Sequence, residues 1–342
     1  MTPCIFDSTL IWTVIDTLAA FCIMVNPNSP DQVWYASQGG FISVYHFEER
    51  RVVRRIVVDT SNPQGRITNI VFDPLNPSIV FASGILMQGI YRSDDGGASW
   101  AVIRRHDYFL TNYVGECLKV VRRGNGVRIV SANFSRGELE YSDDRGVIWN
   151  SSLTGMTGSI CSINLSPDES DTVLLGCKYG KLLRSDLQSR TSELTAVITP
   201  DAYCEIPRII TSTSDQSVRF GISAGFDSTN RTPGLFQSCD RGRTWTRHWL
   251  QGVNIWAVAT CQCSRHVAVG GFSEFSNIIG RGIVAKVNVS NDEVVFIGSN
   301  IPWHSSPSSV WDMKLYEQSE TGKSQLFIAT EDGVYLGQAT NQ

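Results

Sequence analysis

Charge is scarce in this sequence: 18% of its 342 residues are Asp, Glu, Lys or Arg, and they sum to −4 at neutral pH. So small a balance gives no long-range attraction to a polyanion, which argues against nucleic acid or an anionic membrane as partner. Long apolar runs are missing too. The best candidate, "LIWTVIDTLAAFCIMV" from Leu10, has 16 residues, contains Asp16, and has no Lys or Arg ahead of it. A bilayer span needs roughly 20 residues and a signal segment needs a basic start, so the run reads as two strands around an Asp-Thr turn. Cys-x-x-Cys pairs are absent as well. In "CQCSRH" the cluster Cys261, Cys263 and His266 has the wrong spacing for zinc and no fourth ligand, so it predicts a strand end crowded with thiols, no metal, and no cofactor.

The nine cysteines form no framework, and Cys22, Cys117, Cys161 and Cys177 fall inside apolar strands. Buried reduced thiols in an intracellular, cytoplasmic protein are the expectation. Sequons at Asn133 and Asn230 would suit secretion, but the one at Asn164 lies in an inner strand where a glycan has no room.

What the sequence has instead is a repeated turn. "YRSDDGGASW", "YSDDRGVIWN" and "FQSCDRGRTW" share Ser-x-Asp-x-Gly-x-x-Trp, at Ser93, Asp95, Gly97, Trp100, then Ser142, Asp144, Gly146, Trp149, then Ser238, Asp240, Gly242, Trp245. Each sits between an apolar run and a β-rich run, which is a hairpin pattern. In so tight a turn Ser and Asp satisfy orphan backbone N–H groups, Gly takes the positive φ, and Trp opens the next strand with a large apolar surface. These are structural roles.

The segments resemble the Asp-box, or BNR, repeat of β-propellers, found in sialidases, two-propeller xyloglucanases, sortilin-type receptors and a photosystem II assembly factor. The stretch "IVFDPLNPSIVFASGILMQGIYRSDDGGASW" is similar to a xyloglucanase-type blade, and "MVNPNSPDQVWYASQGGFISVY" echoes it without the box. The spacing counts the blades: 49 positions separate Asp95 from Asp144, and 96, twice 48, separate Asp144 from Asp240. One blade has lost its box, near Ser185 and Asp186 in "KLLRSDLQSRTSEL", and the length holds about seven units of about 48 residues. Apolar alternation places inner strands near 19–25, 66–72, 116–121, 159–165, 206–212, 253–260 and 309–315. Too little chain follows "GVYLG" for an outer strand, so residues 9–16 are expected to complete the last blade and close the ring. The expected fold is all-β: one seven-bladed β-propeller over residues 1–342, closed by its N-terminal strand.

Function is expected on the face carrying the loops into the inner strands and between the second and third strands, opposite the boxes. Three long loops of consecutive blades, 223–234, 270–282 and 299–309, carry Phe226, Asp227, Arg231, Phe272, Glu274, Phe275, Arg281, Trp303 and His304. Aromatics flanked by charges suit a protein or peptide hot spot. A second candidate is "EERRVVRR": strict alternation would point Arg50 and Arg54 one way and Arg51 and Arg55 the other, on an outer strand able to meet an acidic partner. Arg104, Arg105, Arg122 and Arg123 would extend that basic rim.

The sialidase resemblance implies an Arg-Ile-Pro segment near the start and three arginines on a substrate carboxylate. Here "EIPRII" lies in the fifth blade, and its order, Ile-Pro-Arg, is wrong for that segment. The xyloglucanase resemblance implies paired aspartates in a cleft between two propellers, and this chain has one propeller. Asp227 with Glu274 could imitate such a pair. The assembly-factor resemblance implies a single ring that binds proteins. The reading is a non-catalytic scaffold for protein–protein interaction in a multi-subunit assembly, with a carbohydrate-binding or glycoside hydrolase-like propeller as the alternative.

Overall fold

A computed structural model describes residues 5–106, 115–134, 136–156, 159–198, 204–225, 233–262, 265–273, 281–304, 308–317 and 324–340. Strand β1 (Leu10–Asp16) precedes blade 1, which runs from the axis outward as β2 (Cys22–Val25), β3 (Gln32–Ser37), β4 (Phe41–His46) and β5 (Arg51–Val57). Blade 2 is β6 (Arg66–Phe72), β7 (Val80–Ile85), β8 (Gly89–Ser93) and β9 (Ala101–Arg105). Blade 3 is β10 (Leu118–Arg123), β11 (Gly126–Asn133), β12 (Glu138–Ser142) and β13 (Asn150–Leu153). Blade 4 is β14 (Ile160–Leu165), β15 (Thr172–Cys177), β16 (Lys181–Asp186) and β17 (Thr191–Val197). Blade 5 is β18 (Cys204–Thr211), β19 (Arg219–Gly225), β20 (Leu235–Ser238) and β21 (Arg247–Trp249). Blade 6 is β22 (Asn254–Thr260), β23 (His266–Ser273), β24 (Arg281–Asn288) and β25 (Glu293–Phe296). Blade 7 is β26 (Val310–Glu317), β27 (Ser324–Thr330) and β28 (Gly333–Ala339), with β1 as its fourth strand.

The seven antiparallel sheets form a ring, a seven-bladed β-propeller. Every expected inner strand overlaps the innermost strand of a blade. Near-continuous apolar strands arise because each blade is buried on both faces. In β3, Val33 and Tyr35 pack with Phe327 and Ala329 of blade 7, while Trp34 and Ala36 pack with Ile67 and Val80 of blade 2.

The N-terminal strand closes the ring: β1 pairs antiparallel with β28, Leu10 opposite Ala339 and Val14 opposite Tyr335. Trp12 is buried and donates Nε1–H to the Ile297 carbonyl of blade 6 at 3.0 Å. Ahead of it, a 3₁₀ turn (Ile5–Asp7) buries Ile5 and Phe6 against Ala268, Val284 and Tyr335, and Lys286 Nζ donates to the Phe6 carbonyl. Closure therefore combines a backbone ladder with an apolar plug between blades 6 and 7.

The three Ser-x-Asp-x-Gly-x-x-Trp hairpins are alike. The Ser hydroxyl donates to the Asp at 2.8, 2.7 and 2.7 Å and accepts the Gly N–H at 2.8 Å in each. The carboxylate also accepts backbone N–H groups from Ser99, Ile148 and Thr244. Gly97, Gly146 and Gly242 have φ of 86°, 92° and 82°, in the left-handed region. Trp100 and Trp149 return Nε1–H to the carbonyls of Gly97 and Gly146.

These turns also join blades. Arg54 and Arg92 cap the carbonyls of Gly96 and Arg145, in the turn of the next blade, at 2.9 Å, and Arg184 reaches that of Arg241 at 3.4 Å. Arg145 in turn reaches back 2.6 Å to buried Asp73 of blade 2. In blade 4, Asp186 accepts N–H groups from Gln188 and Ser189, an Asx turn without the Gly and Trp.

Two expectations are corrected. Strict alternation along β5 fails because its register with β4 shifts between Val44 and Tyr45, leaving Val53 unpaired. The bulge turns Arg51 to the same face as Arg54, toward blade 2, and leaves Arg55 on the opposite face. Arg50 sits in the preceding turn at φ 50°. The thiol-crowded strand end is wrong too: Cys261 is disulfide-bonded, although Cys22, Cys117, Cys161 and Cys177 are free and buried. Cys263 lies outside the described residues.

Candidate functional site

The antiparallel order places the β3–β4 and β5–β6 connections, and their equivalents in the other blades, on one face, and the Ser-x-Asp-x-Gly-x-x-Trp hairpins on the other. Of the nine loop residues expected to bind, Phe226, Asp227, Arg231, Glu274 and Phe275 lie outside the described residues. Arg281 opens β24 opposite Ser273. Trp303 is half-buried and meets Tyr335 edge-on, ring centroids 5.4 Å apart, in the seam between blades 6 and 7. His304 is exposed and donates its backbone N–H to Asp332 at 2.8 Å. Phe272 joins a different group, packing with Phe21, Ala224, Trp256 and Trp311 at the loop-face end of the central channel. Trp256 and Trp311 are bulge residues, each skipped by the pairing of its inner strand with the next. A bulge re-aims a side chain, here toward the axis.

Below that aromatic layer, charged side chains meet across the axis. Arg208 of blade 5 pairs with Asp312 of blade 7, both buried, and Asp312 Oδ2 accepts the Ile23 N–H of blade 1 at 2.9 Å. Lys314 Nζ lies 3.8 Å from Asp312 Oδ1, and Lys119 of blade 3 lies 2.7 Å from Glu116. Burial opposes the charge of Glu116, yet Lys119, Lys314 and Arg208 together hold its carboxyl at about 2. Burial pushes the Lys119 ammonium down. Sequence reasoning noted Arg208 only as part of "EIPRII" and missed the rest, because no local pattern links five residues from three non-adjacent blades.

A cleft of about 340 Å³ opens on the loop face of blade 1, lined by Leu18, Ala19, Phe41, Val57, Ser43 and Arg55, with Ser37 and Gln38 at its edge. Leu18 and Val57 are 39% and 53% exposed. Arg55 is exposed and has no carboxylate partner among the described residues. Asp16 beside it is engaged, accepting the Leu18 N–H at 3.1 Å and the Tyr35 hydroxyl. Four of the other basic-rim residues are engaged within the fold. Arg104 Nε donates to Glu140 of blade 3 at 3.0 Å, Arg123 bridges Asp143 and Asp171 at 3.2 Å, and Arg105 and Arg122 bond to Gln88 and the Gly124 carbonyl. Among the described residues no cluster of His, Cys, Asp and Glu has the geometry to hold a metal ion.

The class this architecture defines is the seven-bladed β-propeller, and the chain is similar to three solved propellers. The β-propeller domain of Cps50 (Swd1) from Myceliophteria thermophila is 12% identical, with TM-score 0.65 over 97% of this chain and 100% of that one. YCF48 bound to D1 peptide is 12% identical, with TM-score 0.64 over 97% of each chain. The GH74 xyloglucanase from Xanthomonas campestris is 13% identical, with TM-score 0.70 over 96% of this chain and 54% of that one, so this chain spans about half its length. At these identities the likeness shows the fold alone. No protein-family model and no curated protein sequence matches the chain.

Proposed function

We propose that this propeller is a non-catalytic platform that binds a partner polypeptide through its loop face, as a subunit of a larger assembly, and that its hairpins are Asp-boxes holding the ring rigid. The observation that carries the reading is the blade 1 cleft. It combines exposed apolar walls with one unpaired guanidinium, a combination that takes an apolar side chain next to an acidic one. A rigid ring presents such a cleft at little ordering cost. That YCF48 has been solved with a peptide bound is consistent with a propeller used in this way. A photo-crosslinker replacing Val57 should capture a discrete partner from the native source, and Arg55→Glu in the same protein should abolish the adduct. Saturable sugar binding on a glycan array, lost with Trp303→Ala, would favour the carbohydrate reading instead.

A further inference from the structure

Blades 3, 5 and 7 are not neighbours in the ring, so contacts among them cross the channel. Five charged groups converge there: Glu116, Lys119, Arg208, Asp312 and Lys314. The backbone closes in as well, with the Glu116 N–H donating to the Pro207 carbonyl at 3.2 Å. Three cations face two carboxylates, and of these Asp312 is the one whose oxygens are both engaged. Asp312 receives Arg208, the Met313 N–H at 2.8 Å and the Ile23 N–H. One positive charge is left over in a channel only partly open to water, an arrangement that an anion would complete.

Two unused atoms describe that anion. Arg208 Nε and Glu116 Oε2 are buried without a hydrogen-bond partner. One is a donor and the other an acceptor, so the complementary molecule must both accept and donate. Phe21, Trp256 and Trp311 close the loop-face end. Lys119 and Lys314 keep 19% and 24% side-chain exposure and lie further along β10 and β26, toward the box face. We infer that the channel binds one small, singly charged oxyanion that retains an O–H, of the hydrogen carbonate or dihydrogen phosphate kind. It enters from the box face and lies against Lys119, Lys314, Arg208 Nε and Glu116 Oε2.

The test is thermal unfolding of the full chain, followed by tryptophan fluorescence at fixed pH and ionic strength. It is titrated separately with bicarbonate and with phosphate, against nitrate and chloride, which carry no O–H. Bicarbonate or phosphate should raise the midpoint saturably, by about 2 °C or more, and the arm that does so identifies the anion. Lys314→Met should lose that rise while melting no lower than the unmodified protein in chloride, and Lys314→Arg should restore it. Lys119→Met gives the same comparison should Lys314→Met fail to fold. An equal response to all four salts, or a rise that persists in Lys314→Met, overturns the proposal.

Discussion

Gly146, in the turn of blade 3, lies so close to Ile103 of blade 2 that a β-carbon on it would stand 2.5 Å from Ile103 Cδ1. Gly97 relates in the same way to Trp34 of blade 1, and Gly242 to Leu174 of blade 4. The repeated glycine thus answers two demands at once, a left-handed backbone and contact with the preceding blade.

Gly146→Ala should therefore destabilise the protein by about 1–3 kcal/mol. Ile103 can yield at its flexible end, but φ of 92° cannot change without losing the Ser142 bond to the Gly146 N–H. Urea denaturation should show a lower midpoint. An Ala at exposed Gly155, which has φ 73° and open space around it, isolates the backbone cost from the packing cost.

Asp312→Ala should cost about 3–5 kcal/mol, because it strands the Arg208 guanidinium in the channel. The double variant Arg208→Met, Asp312→Leu should recover much of that loss. Denaturant unfolding of Arg208→Met, Asp312→Leu and the double variant would show it as strong non-additivity.

Removing residues 1–16 takes away β1 and exposes the edge of β28. An unpaired edge pairs with other chains, so light scattering should show self-association. Trp12→Ala keeps the ladder and loses only the buried indole with its bond to Ile297, at a cost of about 3–5 kcal/mol.

The first hairpin should be sensitive to acid. Hydrogen bonds from the Ser99 hydroxyl and N–H and from Ser93 hold the Asp95 carboxyl down at about 2, against about 3.9 in an unfolded chain. A depressed carboxylate stabilises fully above its unfolded value and loses that contribution as pH falls through its folded value. Stability should therefore decline between about pH 4 and pH 2, and Asp95→Asn should flatten that part of the profile.

Much of the fold was legible from the chain alone. Ser93, Asp95 and Gly97 interact within five residues, so their spacing reports one turn wherever it occurs, and its period reports the blade. The few residues after "GVYLG", too short for a last strand, pointed to β1 as the closing strand. Less of the site was legible. Alternation misassigned the arginines of β5 because a bulge at Val53 depends on how β4 and β5 register, which no count along one strand contains.

By itself, then, the sequence determined the number of blades, the chemistry of their turns and the strand that closes the circle, since each rests on contacts between residues close in the chain or on a fixed repeat length. Only the tertiary structure decided which side chains share the axis and which share the blade 1 cleft. Arg208 and Asp312 are 104 positions apart, and only the curvature of the ring brings them together. Leu18 and Arg55 meet because the crossing from β1 to β2 lies over the first blade.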